Sequence, residues 1–215
     1  HIFRGWYDNI NYDGETVSVP TPGKTYYAKW EEKKDSSISF NNSFNLDKVY
    51  DGKAVSISEN DYSIIGDNRE VTFYYQIKNE NGTWKDIDTA PIDVGTYQVK
   101  GIAVETDAYK SAETIWKEFT ISKADPVYKV PIGLTAIEGQ SLMDVKLPSG
   151  FTWKDELITS VGNPGNNTFI AIYTPSDMIN YKTVEVQVTI TVSEIEKTQT
   201  NDTANLKSKF DKNTA

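Results

Sequence analysis

The chain has 215 residues, no cysteine, one histidine and a net charge of −9 at pH 7, with an isoelectric point near 4.7. The missing thiols exclude a disulfide framework and thiolate zinc sites, and a lone His1 at the N-terminus leaves no basis for Ser-His-Asp or Cys-His catalysis. The acidic balance argues against nucleic acid, which needs a basic face, and neither a Lys/Arg run nor an apolar run of membrane-spanning length points to a bilayer.

The sequence opens on His1-Ile2-Phe3-Arg4-Gly5-Trp6-Tyr7, without Met or leader and in mid-pattern, so we read it as a segment of a larger protein. Residues 1–32 form a first unit bracketed by aromatics: Phe3, Trp6 and Tyr7 at one end, Tyr26, Tyr27 and Trp30 at the other. Turn signals lie between them at Asp13-Gly14 and Pro20-Thr21-Pro22-Gly23. Residues 31–37 read as a short charged linker.

A first full module is expected over residues 35–123. Short strands are predicted at 38–40, 54–57 and 62–65. Val71, Phe73, Tyr75 and Ile77 then alternate with Thr72, Tyr74, Gln76 and Lys78, the pattern of a strand with one face on a core. Asn81-Gly82 marks a hairpin turn, Trp84 begins the return strand, and strands over 94–104 and 114–122 complete the set. About seven strands in about 85 residues, with turns at sandwich spacing and no helical period, read as a β-sandwich.

Lys123-Ala124-Asp125-Pro126 is the junction, where Pro126 cannot donate to a ladder. The second module, residues 124–193, is shorter, with turns at Pro148-Ser149-Gly150 and Asn163-Pro164-Gly165-Asn166. It ends in the cleanest alternation of the chain: Val184, Val186, Val188, Ile190 and Val192 on one face, Glu185, Gln187, Thr189 and Thr191 on the other. Residues 194–215 are polar, with little to bury, and are expected to be a linker or disordered.

The two modules are copies of one unit. Thr96-Tyr97 aligns with Thr168-Phe169, and Tyr109-Lys110 with Tyr181-Lys182, at one offset of 72 (168 − 96 and 181 − 109). Phe119 and Ile121 answer to Ile190 and Val192, while Tyr50-Asp51-Gly52-Lys53 aligns with Ile137-Glu138-Gly139-Gln140. A tandem duplication with one internal deletion follows. The fold class expected is therefore all-β, two tandem β-sandwiches with a polar C-terminal tail; that the sandwiches are Ig-like and that residues 1–32 are a partial β-grasp-like repeat is what family resemblance implies.

Phe-Arg-Gly-Trp-Tyr followed about 20 residues later by Tyr-Tyr-Ala-Lys-Trp resembles the carboxy-terminal half of a Listeria-Bacteroides repeat, the β-grasp-like module of internalin-type surface proteins. Lys48-Val49-Tyr50-Asp51-Gly52, Val94-Gly95-Thr96-Tyr97 and Phe119-Thr120-Ile121-Ser122-Lys123-Ala124 resemble bacterial Ig-like repeats of the MBG/YDG type. Gly133-Leu134-Thr135-Ala136, the run from Leu147 to Trp153, and Tyr173-Thr174-Pro175-Ser176-Asp177 through Asn180-Tyr181 are similar to a shorter Ig-like repeat found beside them. What these resemblances imply is a non-enzymatic stalk or adhesin segment of a secreted or cell-wall surface protein of a Gram-positive bacterium. Its expected partner is a host or microbial surface protein or glycan, and the module is expected to be monomeric.

Chemistry-bearing groups are sparse. Asp86 with Asp88 and Asp155 with Glu156 are neighbouring acids, read as solvated loop residues, since a glycosidase needs two carboxylates facing each other across a cleft. Calcium would rest only on the scattered Asp51, Asp61, Asp67 and Asp93, and no metal or cofactor is expected. Aromatic residues make up 12% of the chain, enough to raise sugar stacking. Trp84 and Tyr74 are the binding candidates, with Trp116, Trp153 and Tyr173 behind them, against the reading that the tryptophans pack in the core. Tyr109 and Tyr181 are expected to pin the loop before the last strand through a buried ring and a hydroxyl bond. A carbohydrate-binding accessory module of a glycan-degrading enzyme is the alternative function.

Overall fold

The computed structural model describes residues 1–67 and 69–196, which make two compact units divided between Ala124 and Asp125. The chain is all-β. Its longest strands are those with the strictest alternation, because a period of two puts every second side chain on the core face.

Unit 1 begins with an antiparallel ribbon of β1 (Ile2–Tyr7) and β2 (Tyr27–Glu31), with a bulge at the Phe3/Gly5 step. The strands β3 (Ser37–Phe40) and β5 (Tyr62–Ile65) form a second ribbon. The main sheet has the order β4 (Lys48–Val49), β10 (Lys117–Ser122), β8 (Gly95–Ala103), β6 (Val71–Lys78), β7 (Trp84–Ile87), with β9 (Ala112–Glu113) also on β8. The inward residues Tyr75, Tyr97, Val99, Phe119 and Ile121 are buried, and Phe40, Phe44, Val55 and Phe73 pack with them, so the β3–β5 ribbon lies against the sheet.

Residues 54–57 are not a strand. Val55 turns inward and its amide donates to Pro91 O at 3.0 Å, while the strand lies earlier, at β4, parallel to β10. Lys48-Val49 precedes the Asp51-Gly52 turn, so the polar residues that mark the turn also hide so short a strand.

Unit 2 is a four-stranded sheet in the order β11 (Leu134–Ile137), β14 (Val184–Ser193), β13 (Gly165–Tyr173), β12 (Phe151–Trp153). Its core layer is the inner face of β14 and β13 against segments that supply Leu142, Val145 and Val161, with a 3-10 turn at Leu142–Asp144. Ile190, Leu142, Val161 and Ala171 are completely buried.

The duplication is present as shared wiring. In each unit a short strand runs parallel to the last strand, β4 on β10 and β11 on β14, and the last strand runs antiparallel to a long one, β10 to β8 and β14 to β13; β11 opens unit 2, whereas β4 follows β1, β2 and β3 in unit 1. The Tyr50 amide bonds Ser122 O at 2.8 Å and the Glu138 amide bonds Ser193 O at 2.9 Å. The register differs from the alignment of Thr96 with Thr168. Gly95 lies opposite Ile121 and Gly165 opposite Val192, so β8 and β13 correspond at an offset of 70 (165 − 95), two less than the Thr-aromatic match gives. A slip of two keeps every inward residue inward, so hydrophobic pattern alone does not detect it. The turn after β11 is also one residue shorter than that after β4, since Tyr50 corresponds to Glu138 rather than to Ile137.

Of residues 194–215, those up to 196 carry no regular structure, and the remainder of the expected tail lies outside the described residues.

Candidate functional site

The outward residues of β6, β7, β8 and β10 form the face on which both aromatic candidates stand. Alternation in β6 sends Tyr74, Gln76 and Lys78 outward, and pairing places Lys100 beside Tyr74, Gln98 and Asp86 beside Gln76, and Trp84 beside Lys78. Tyr74 is 50% exposed, whereas Trp84 and Trp116 are half-buried. The Lys78 ammonium lies 5.1 Å above the Trp84 ring and 3.8 Å from Glu118; Lys100 lies 5.2 Å above Trp116 and bonds Glu113 at 2.8 Å. Gln98 donates to Gln76, which donates to Asp86 at 2.7 Å. Gln98 is only 8% exposed despite facing outward, because this network covers it.

The face is thus internally satisfied. Each tryptophan ring presents its π-cloud to a lysine of the same sheet, an attraction worth about 0.5–1 kcal/mol at exposed sites. A sugar ring stacking there would have to displace that ammonium. Tyr74 and Trp84 are separated by four residues along β6 and one strand across, roughly 14 Å, so one sugar ring does not span both.

The other candidates fall elsewhere. Trp153 is a packing residue: its ring meets Phe169 edge-on at 6.1 Å and its indole N–H donates to Val145 O at 3.1 Å. Tyr173 stacks on Tyr128 at 5.0 Å and tilts against Phe151 at 5.0 Å. Tyr109 holds its loop differently from the buried ring and hydroxyl expected: the ring is half-buried under Arg69 and Lys34, 5.9 and 5.7 Å away, and the backbone amide donates to Thr106 Oγ1 at 3.2 Å. Tyr181 is half-buried and its amide donates to Asp177 O at 3.2 Å.

The acids serve local structure. Asp61 closes a capping box with Ser58, and Asp67 accepts from Thr106 Oγ1 at 3.0 Å. Asp51 accepts from Lys48 at 2.6 Å, which holds its carboxyl below the usual carboxylate range. Asp86 is taken by Gln76, and Asp155 and Glu156 are exposed beside an apolar depression lined by Met143, Leu147 and Leu157. Among the described residues no three of His, Asp or Glu come together to hold a metal ion, and no helix is long and apolar enough to cross a membrane.

Two groups escaped the sequence reading. Phe3, Trp6 and Trp30 are 43%, 48% and 58% exposed on one face of the β1–β2 ribbon, with Phe3 5.7 Å from Trp6 and 5.1 Å from Trp30. Clustering of aromatics was visible in sequence; their exposure was not, because a two-stranded ribbon buries little by itself. The second group is the pair Asp35 and Asp125, which bond Lys110 at 2.8 Å and Lys182 at 2.9 Å. Its signal was Lys33-Lys34-Asp35 recurring as Lys123-Ala124-Asp125 before the second module.

No protein-family profile matches the sequence, and no curated protein matches it.

Proposed function

We propose that this chain is a non-enzymatic, load-bearing spacer segment of a bacterial cell-surface or secreted protein, built from Ig-like modules in series and holding a binding region away from the surface. The observation that carries the reading is the parallel pairing of the first and last strands of unit 2, β11 and β14, with β4 on β10 giving unit 1 a parallel pair of the same kind. In unit 2 the chain starts beside Lys182, through Asp125, and the paired strands end together at Glu138 and Ser193. Four residues of each strand pair in parallel, and the last segment covers about 35 Å between Lys182 and Ser193 at ~3.3 Å per residue. The chain therefore enters at one end of the unit and leaves at the other. Tension on the ends shears the β11–β14 ladder, loading its bonds together rather than one after another. The internally paired lysines and tryptophans of the outer sheet face in unit 1 fit a spacer as well, since they leave few polar groups waiting for a ligand.

Stretching the chain from its ends by single-molecule force spectroscopy tests this. The expected trace has two discrete unfolding events, one per unit, the second unit releasing roughly 200 Å of chain at up to ~3.6 Å per residue. A featureless extension at low force contradicts the reading.

A carbohydrate-binding accessory module is the second reading, favoured by the half-exposed Tyr74 ring beside Lys100. Binding to one sugar class on a glycan array, lost in a folded Tyr74→Ala/Trp84→Ala variant, would replace the spacer account. An array without binding is the result the spacer account expects.

A further inference from the structure

Residues 33–36 are not a free linker. The Lys34 amide donates to Ala108 O at 2.8 Å and the Lys110 amide donates to Lys34 O at 2.9 Å, a parallel bridge between the lead-in segment and the loop before the last strands. Lys33 reaches across with its ammonium to Glu105 and to Thr106 O, both at 2.6 Å, and its side chain is only 17% exposed. Ser36 Oγ donates to Lys110 O at 2.8 Å, and Lys110 bonds Asp35 at 2.8 Å.

At the centre is Arg69, whose side chain is 2% exposed. One guanidinium nitrogen donates to Lys110 O at 2.8 Å, another donates to Ser36 Oγ, and the guanidinium lies over the Tyr109 ring at 5.9 Å, with Asp67 3.9 Å from Nε. A buried guanidinium is tolerated only where its donors are taken up. Here the two terminal nitrogens are taken up by two different segments, while Nε makes no hydrogen bond and has only the Asp67 carboxylate nearby, so pairing the terminal donors requires the lead-in and the Tyr-Lys loop to be joined.

Unit 2 repeats the outer part of this arrangement. Asp125, just ahead of its module, bonds Lys182 of the second Tyr-Lys pair, and Asp35 and Asp125 stand 90 positions apart (125 − 35) in matching Lys-x-Asp segments. The same residue types meet ahead of the Tyr-Lys loop in both units, as exposed ion pairs.

We propose that the Tyr-Lys loop is a clamp that locks the residues leading into each module onto the module itself, with Arg69 as the positioning residue in unit 1. The joint between the β1–β2 ribbon and the sandwich then behaves as a rigid part of unit 1 instead of a flexible tether. Asp35 and Lys110 support this: each stabilises the charged form of the other, the carboxyl held below and the ammonium above its ordinary range. The proposal stands independently of the load-bearing reading, because its test applies no force and no ligand.

Lys33 and Lys34 are themselves cleavage sites for a lysine-specific protease, which makes the clamp directly readable. In the full chain, cleavage after Lys33 and Lys34 is expected to be at least a hundredfold slower than in a free peptide of residues 29–39. Arg69→Met, which keeps the side-chain stem, is expected to raise that rate at least tenfold while circular dichroism shows the sheet intact. Should Arg69→Met unfold the unit, amide exchange of the unmodified chain decides: the clamp predicts Lys34 and Lys110 amides protected at least a hundredfold over free-peptide rates. Cleavage at the free-peptide rate, unprotected Lys34 and Lys110 amides, or a folded Arg69→Met chain cut no faster than the original would each overturn the proposal.

Discussion

Truncating one completely buried isoleucine in each unit separates the two cores. Ile121 on β10 and Ile190 on β14 have no exposed surface, and they pack within different clusters: Ile121 with Tyr97, Val99 and Phe119, Ile190 with Ala136, Leu142, Val161 and Val192. Changing either to Ala removes three carbons, about 2.4 kcal/mol at ~0.8 kcal/mol per buried methylene. The unfilled space adds to this, bringing the expected loss to about 3–4 kcal/mol, inside the 2–5 kcal/mol range for such truncations. For a domain of this size, each kcal/mol moves the midpoint by roughly 4–8 °C, so one transition should fall by about 12–30 °C. Differential scanning calorimetry reads it directly. Ile121→Ala is expected to lower one transition and Ile190→Ala the other, with its companion unmoved. A loss below about 1 kcal/mol, or both transitions falling together in either variant, would refute the assignment of two separate, tightly packed cores.

Asn167 donates from one amide nitrogen to Val161 O and Asn163 O, both at 2.8 Å, so Asn167→Ala should cost about 1–3 kcal/mol by stranding carbonyls beside the buried Val161, measured by urea unfolding of unit 2. Alkaline pH provides another test, because burial raises the phenol pKa of both Tyr75 and Tyr97. Their folded pKa lies above the unfolded value of about 10, so this stabilisation is complete below pH ~10 and is lost as pH rises toward the folded pKa. Denaturation monitored at pH 8 and pH 11 should show unit 1 weakening more than a Tyr75→Phe/Tyr97→Phe chain, although Tyr97→Phe also removes the hydroxyl bond to Asp93 O.

The parts of the fold legible in sequence were those governed by a local rule. Strict alternation marked β14 and β6, and Asn81-Gly82 marked the β6–β7 hairpin, because side-chain period and turn geometry are written in neighbouring residues. Thr96-Tyr97 and Thr168-Phe169 exposed the duplication yet set its register two residues off, since both registers bury the same face. Lys48-Val49, quoted as part of a repeat motif, was not recognised as a strand because two residues make no pattern; only their pairing to Ile121 and Ser122 makes them one.

The candidate site was legible only in part. Exposure of Tyr74 followed from its phase in β6, but the covering of Trp84 by Lys78 and of Trp116 by Lys100 depends on cross-strand register. Nothing local in the sequence singles out Arg69. Its burial results from Ser36 and Lys110, 33 and 41 residues away, arriving at the same point.

The account rests on the direction in which unit 2 resists force, and the absence of native cysteine allows handles to be placed at will. One variant carries Val127→Cys and Glu194→Cys, exposed positions at the two ends of the unit; another carries Thr135→Cys and Thr152→Cys, exposed positions on the opposite edge strands β11 and β12. Pulling the first pair shears the parallel β11–β14 ladder, whereas pulling the second peels the edge strands away bond by bond. The spacer account predicts a several-fold higher unfolding force for the end-to-end pair. Equal forces, or a weaker end-to-end direction, would contradict it.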